Sequence, residues 1–180
     1  MAHEAVVHLV DPKNPHNVGG AIRAAAAFGA HRVTWGGERV TTTAKRLPRE
    51  ERMKGYQDVE FWHLPGERTV SGYAEAGWTP VCVEVDPTAE QLHQFIHPER
   101  ALYVFGPEDG SVPKAVRAHC HRFVVIPTLH CTNLSAAVYL TLYDRHVKLL
   151  AAGLRPQLAS ADLLAENRGW VDHWNLEEER

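Results

Sequence analysis

Three polar stretches of this chain carry the residue types from which a reactive site could be built. The first, residues 11–20, brings Asn17 and the adjacent Gly19 and Gly20 to the mouth of an alanine-rich helix, with Arg23 following among alanines. Glycines let backbone approach a ligand closely, and free N–H groups at a helix start attract anions. Arg23 lies one turn beyond Gly19 on the same side of that helix. Its guanidinium could grip an anion or could serve a structural ion pair; on composition alone the tightly packed helix with an ion-paired arginine is the simpler reading. The second stretch, Gly106-Pro107-Glu108-Asp109-Gly110, places a carboxylate in a turn that follows an apolar run directly. The third runs from Ile126-Pro127 through Cys131 and Thr132 to Asn133-Leu134-Ser135, where Asn133 or Ser135 can cap a long helix.

Several chemistries are excluded. Gly-x-Gly-x-x-Gly is absent, and no acidic residue stands about 20 positions beyond the glycine pair, so the first stretch is not a dinucleotide fingerprint; it is not a phosphate-binding P-loop either. His119, Cys120, His121, His130 and Cys131 are possible metal ligands, but their spacing fits no usual zinc pattern, and no metal is expected. His16 beside the first stretch is a pocket residue or an exposed loop histidine. Three cysteines at unrelated spacings, with no cationic-then-apolar leader, argue against a disulfide framework and for a cytoplasmic protein. No apolar run approaches the roughly 20 residues of a membrane span.

The elements that must position these residues follow from periodicity. Short apolar runs at 5–10, 31–35, 59–63, 78–85, 101–105 and 123–126 alternate with helical patterns at 18–28, 69–76, 89–95, 112–119 and from about 133 onward. That alternation predicts an α/β fold, a mostly parallel sheet with helices on both faces, and Gly29 and Gly77 stand where helix C-caps belong. In such a sheet the loops at the carboxyl ends of the strands collect ligands, and all three polar stretches leave strand ends. The last helix carries one apolar stripe at Leu134, Val138 and Leu142 and another at Leu140, Tyr143, Val147 and Leu150. Cover on two sides is needed, one from its own sheet and one from a second subunit.

With 180 residues and 44% hydrophobic content the chain suffices for one domain, expected over 1–155. A tail over 156–180, expected to be helical, carries Trp170 and Trp174, which need the domain or a partner chain to bury them. The formal charge of -3 gives no global reason to bind nucleic acid. Any such contact is local, and residues 40–55 concentrate Lys45, Arg46, Arg49, Arg52 and Lys54 in a span of little periodicity that reads as a basic loop.

Taken together the stretches resemble the SPOUT superfamily of RNA methyltransferases, and within it the TrmH (SpoU) family of ribose 2'-O-methyltransferases, in order and over nearly the whole chain. Asn17-x-Gly19-x-x-x-Arg23 resembles the first family motif, Phe105-Gly106-Pro107-Glu108-x-Gly110 the second, and Ile126-Pro127 through Asn133-Leu134-Ser135 the third. Lys45-Arg46-Leu47 with Tyr56 is similar to a basic segment of small members that lack appended RNA-binding domains. The resemblance implies a C-terminal deep trefoil knot, a homodimer, S-adenosyl-L-methionine as cofactor and RNA as substrate, tRNA ahead of rRNA. It implies cofactor contacts from Val83, Gly106, Ile126, Cys131, Asn133 and Ser135, and RNA contacts from the five cations of the basic loop. The catalytic set it implies is Arg23, Asn17, Glu108 and Asn133. Arg23 would stabilise the developing alkoxide, since arginine hardly deprotonates. Asn17 and Glu108 would orient its guanidinium, and Asn133 would help place ribose or cofactor.

The third stretch departs from the family pattern: its loop is short, Thr128 stands where methionine is usual, and Cys131-Thr132 replaces Ser-Leu or Ser-Met. That departure favours a second class of reading, a SPOUT-like dimer that binds RNA or cofactor with weak or no turnover. A doubly wound enzyme with a nicotinamide or phosphate cofactor lacks every phosphate-loop signature.

Overall fold

The computed structural model describes residues 3–40, 58–64, 68–159 and 162. By its internal contacts the chain divides into units 1–147 and 148–180, and the architecture below is that of the first. The elements run β1 (Glu4–Leu9), α1 (Pro15–Phe28), β2 (Arg32–Trp35), β3 (Glu60–His63), α2 (Arg68–Glu75), β4 (Thr79–Val83), β5 (Glu90–Gln91), β6 (Arg100–Phe105), α3 (Lys114–Arg117), β7 (Arg122–Val125) and α4 (Leu134–Ala151), which continues into the second unit. The seven strands form one sheet in the order β3-β2-β1-β6-β4-β7-β5, and every pairing is parallel. Trp170 and Trp174 of the tail lie outside the described residues.

Alternation along β1 assigns the two faces. Ala5, Val7 and Leu9 pack with Val18, Ala21, Ile22 and Ala25 of α1 and with Leu134, Val138 and Leu142 of α4. Val6 and Val10 pack with Val70 of α2 and Val112 and Val116 around α3. Both faces of the sheet are therefore covered, as nearly continuous apolar strands require.

Helix α1 starts three residues earlier than its apolar periodicity indicates. Asn14 is its N-cap, the side chain accepting from the His16 amide, and Pro15 follows at the first helical position. Asn17, Gly19 and Gly20 consequently lie within the helix, all three buried. Gly29 ends it in the left-handed conformation with φ 70°. A methyl group on Gly20 would stand 2.7 Å from Ser135 Cβ. The glycine thus brings α1 against the start of α4 more closely than alanine allows.

Two expected helices are corrected. Residues 89–95 form the two-residue strand β5 followed by a single 3-10 turn at Leu92–Gln94. The backbone of Glu90 and Gln91 pairs with Val124 and Val125 and closes the edge that β7 would otherwise leave open. The helix expected over 112–119 contracts to Lys114–Arg117. Pro113 precedes it, the Cys120 amide turns back to Arg117 O, and the His121 amide bonds Pro80 O to lead into β7. The strand expected over 78–85 stops at Val83, leaving Glu84 and Val85 beyond its end.

Candidate functional site

A cavity opens at the carboxyl ends of β6, β4 and β7, three neighbours in the sheet. Its wall is made by Val83, Glu84 and Val85 after β4, by Phe105 to Glu108 and Gly110 after β6, by Val125, Ile126, Thr128, Cys131 and Thr132 after β7, and by Leu134 and Ala137 on α4. Its enclosed volume is about 170 Å³, and the mouth is open to solvent. The lining is mainly apolar, with two carboxylates and two threonine hydroxyls as its polar side chains. Gly106 shapes the floor: a Cβ there would lie 2.9 Å from the Val112 amide nitrogen and 3.2 Å from the Ser111 carbonyl carbon. Only glycine lets the loop over 106–112 fold back so tightly. Glu84 secures that loop, one carboxylate oxygen accepting from the Val112 amide at 3.0 Å and the other from the Val85 amide at 3.0 Å.

Glu108 joins this cavity to the start of α1. Its carboxylate accepts from the Lys13 amide at 2.7 Å, the Asn14 amide at 3.1 Å and Asn17 Nδ2 at 2.5 Å. Partial burial pulls its pKa upward, but the Lys13 amide, the Asn17 side chain and the other backbone donors outweigh that, and the group stays below its ordinary value. Glu108 is therefore a fixed anion at neutral pH, and the buried Asn17 has its amide committed to it.

The resemblance-based site residues distribute as follows. Val83, Gly106, Ile126 and Cys131 line the cavity together with Glu108. Asn133 and Ser135 flank it, and the Asn133 side chain caps α4: its Oδ1 accepts from the Ser135 amide at 2.9 Å and the Ser135 hydroxyl at 2.7 Å. Arg23 is exposed on α1, and no hydrogen bond or ion pair among the described residues joins it to the Asn17–Glu108 pair. At the end of the same helix, Phe28 packs edge-on against Tyr139 and Tyr143 of α4, with ring centroids 6.1 and 5.8 Å apart. Lys45, Arg46, Arg49, Arg52 and Lys54 lie outside the described residues, as do Leu47 and Tyr56. Among the described residues no group of three or more His, Cys, Asp or Glu gathers to hold a metal ion, and no described helix is long and apolar enough to cross a membrane.

Glu84 closes an apolar run and by its sequence belongs to the strand, so nothing local marks it as part of a site. Arg39 and Asp11 are equally silent, since their partners lie 28 to 70 positions apart and no local spacing announces them.

A cavity at the carboxyl ends of parallel strands, floored by a glycine loop and joined to a buried Asn–Glu pair, defines an α/β protein built to hold a small ligand beside an ordered anion. The SpoU rRNA Methylase family profile matches residues 4–143, and the chain belongs to that family. Solved structures share the fold. An A. aeolicus TrmH/SpoU tRNA modifying enzyme superposes with a TM-score of 0.75 at 16% identity, covering 97% of this chain and 90% of that one. An AdoMet-bound rRNA methyltransferase from Sinorhizobium meliloti gives 0.73 at 20% identity, covering 83% and 58%. A structure concerned with 2-OH methylation of C/U34 on tRNA gives 0.68 at 21%, covering 83% and 98%. The chain spans only 57% to 62% of the length of the rRNA methyltransferase from S. meliloti and of AviRb from Streptomyces viridochromogenes. No curated protein matches the chain.

Proposed function

We propose that this protein is an S-adenosylmethionine-dependent RNA methyltransferase that acts on a ribose 2'-hydroxyl of tRNA as a homodimer with a knotted C-terminal third. The observation that carries the reading is the continuity of the three strand-end loops: the cavity wall and the Asn17–Glu108 pair share one residue, Glu108, in a chain of the SpoU family. The cavity fits the cofactor. Val83, Gly106, Ile126 and Cys131 would hold it, the apolar walls suiting an adenine ring and the carboxylates of Glu84 and Glu108 suiting a cationic sulfonium. When bound, S-adenosylmethionine supplies an electrophilic methyl group.

A sugar hydroxyl is a poor nucleophile at neutral pH, so the protein must stabilise negative charge on its oxygen and orient it. Arg23 is the candidate for that work. As a guanidinium it would act as an electrostatic stabiliser and phosphate grip and leave proton removal to solvent. Its exposure on α1, with no hydrogen bond or ion pair among the described residues, supports service to a neighbouring subunit. Lys45, Arg46, Arg49, Arg52 and Lys54 would supply phosphate contacts, since RNA binding depends on local field within about 10 Å. Two neighbours described by their tRNA chemistry support tRNA as the substrate.

Calorimetry with S-adenosylmethionine and S-adenosylhomocysteine, followed by methyl transfer to bulk tRNA and rRNA with mapping of 2'-O-methyl positions, tests the proposal. Binding with transfer to tRNA ribose is expected; failure to bind either compound overturns it. Binding without transfer would establish the second reading, a binding dimer, which the capping engagement of Asn133 and the exposed Cys131 and Thr132 favour.

A further inference from the structure

Beside the cavity, three strand-end loops meet on one side chain that no motif includes. Arg39 follows β2 by four residues. Its Nη1 donates to both carboxylate oxygens of Asp109, at 2.9 and 3.0 Å. Its Nε lies 2.9 Å from Asp11 Oδ2, and its Nη2 donates to the Asp11 carbonyl. Asp11 belongs to the loop after β1 and Asp109 to the loop after β6. The fork geometry of a guanidinium is what allows one residue to hold a carboxylate and a carbonyl on different loops. Lys13 Nζ adds a longer contact to Asp109 at 3.6 Å.

Two further observations show that the arrangement is built. Asp11 is the one non-glycine among the described residues with positive φ, at 45°, a conformation that persists only where surroundings hold it and that clusters at functional sites. Facing it, Gly37 has φ 78°, and a Cβ there would lie 2.0 Å from Asp11 Oδ1. A side chain at 37 would expel the Asp11 carboxylate from its place.

We propose that Arg39 is a positioning residue for the methyl-transfer site: by joining Asp11 to Asp109 it fixes the spacing at which Glu108 receives Asn17, Lys13 and Asn14. The connectivity supports this. Asp11 lies two residues before Lys13, whose amide bonds Glu108, and Asp109 is the next residue after Glu108. Arg39 thus braces both sides of the Glu108 contacts from outside. The Arg39 hydrogen bond, against a partial desolvation, holds the Asp109 carboxyl below its ordinary pKa, so Asp109 carries its charge at neutral pH. The side chains are 32% to 49% exposed, and exposed ion pairs add little to global stability. Loop position, and not folding, is what the brace governs.

This inference rests on the proposed activity, and the test separates the two. Steady-state transfer is measured on the RNA pool that the wild-type protein methylates; a wild type that neither binds S-adenosylmethionine nor transfers would fail the functional reading itself. Given an active wild type, Arg39→Ala and Asp109→Ala should each lower kcat by about tenfold or more, as small misplacements of reacting groups do. The RNA KM should stay within about twofold, S-adenosylmethionine affinity should weaken about fivefold, and the thermal midpoint should move by less than about 2 °C. The double variant should be no worse than either single one, because both remove the same brace. Arg39→Lys should recover only part, having lost the fork. A kcat within about twofold of wild type in Arg39→Ala, or single effects that multiply in the double variant, overturns the proposal.

Discussion

Arg23 and Glu108 divide the electrostatic work by environment. Glu108 is a partly buried anion with three donors, whereas Arg23 is exposed on α1. Arg23→Ala should therefore leave S-adenosylmethionine affinity unchanged in calorimetry and lower kcat for methyl transfer by roughly 100- to 1,000-fold, the usual loss on removing a donor to a developing oxyanion. Equal loss of binding and transfer would make the arginine structural. His8 behaves differently, because it is buried in the core with Nδ1 2.9 Å from Thr34 Oγ1. Burial lowers its pKa from 6.5 to about 4. The unfolded chain takes up this proton as pH falls below 6.5 while the folded one resists it until about 4, so stability present above 6.5 is lost across that interval. At pH 5 the loss relative to pH 7 should be about 2 kcal/mol, read as a shift in urea midpoint. His8→Asn should flatten this slope without abolishing it, because burial and then Arg32 shift His31 the same way. Glu108, also lowered, acts only as pH falls below the ordinary carboxylate range. A wild-type midpoint that does not move between pH 7 and 5 would refute the account of His8.

At the scale of elements, the glycine loop after β6 is the part of the cavity least tolerant of change. Gly106→Ala places a methyl group against backbone at Val112 and Ser111, which cannot swing aside as a side-chain end can. Stability should fall by about 1–3 kcal/mol, and S-adenosylmethionine affinity should drop more than tenfold while the secondary structure seen by circular dichroism persists; unaltered affinity would move the ligand elsewhere. Much of this level was legible beforehand. The six main strands and the helices α1, α2 and α4 come from apolar period and glycine caps, both properties of neighbouring residues. What escaped depends on distant partners. The segment at 90–91 is a strand because β7 offers it an open edge, and nothing within 89–95 says so. Glu84 turns out of β4 because the Val112 amide awaits it 28 residues on. The first motif was placed at a helix mouth, whereas Asn14 and Pro15 open the helix earlier and leave Asn17 inside, where its amide meets Glu108 across 91 residues. Residue types at strand ends identified the cavity; the bonds that set its shape are nonlocal and needed the fold.

For the whole molecule, one surface decides whether a single chain can act. Leu140 and Tyr143 on α4 are 40% and 53% exposed, and Tyr143 packs edge-on against Phe28 of α1, the helix that also carries Arg23. An exposed apolar strip of this kind is suited to a second copy whose own strip covers it, in the self-complementary manner of a twofold dimer. Leu140→Glu combined with Tyr143→Asp should convert the sedimenting species from dimer to monomer and remove methyl transfer while the fold persists. Subunit mixing makes a stronger test of where Arg23 works. Suppose one chain carries Arg23→Ala with an intact cavity, and the other carries Gly106→Ala with Arg23 intact. If Arg23 serves the cavity of its mate, the mixed dimer contains one complete site, although at S-adenosylmethionine concentrations below the variant's affinity each parent turns over weakly. Random re-association puts half the dimers in the mixed form with one site of two restored, so turnover should return to about a quarter of the wild-type value. If Arg23 serves its own cavity, every site in the mixture lacks one component and no activity returns. Recovery near a quarter would fix the arginine in the partner's site; none, with mixed dimers demonstrated by mass spectrometry, would return it to its own subunit.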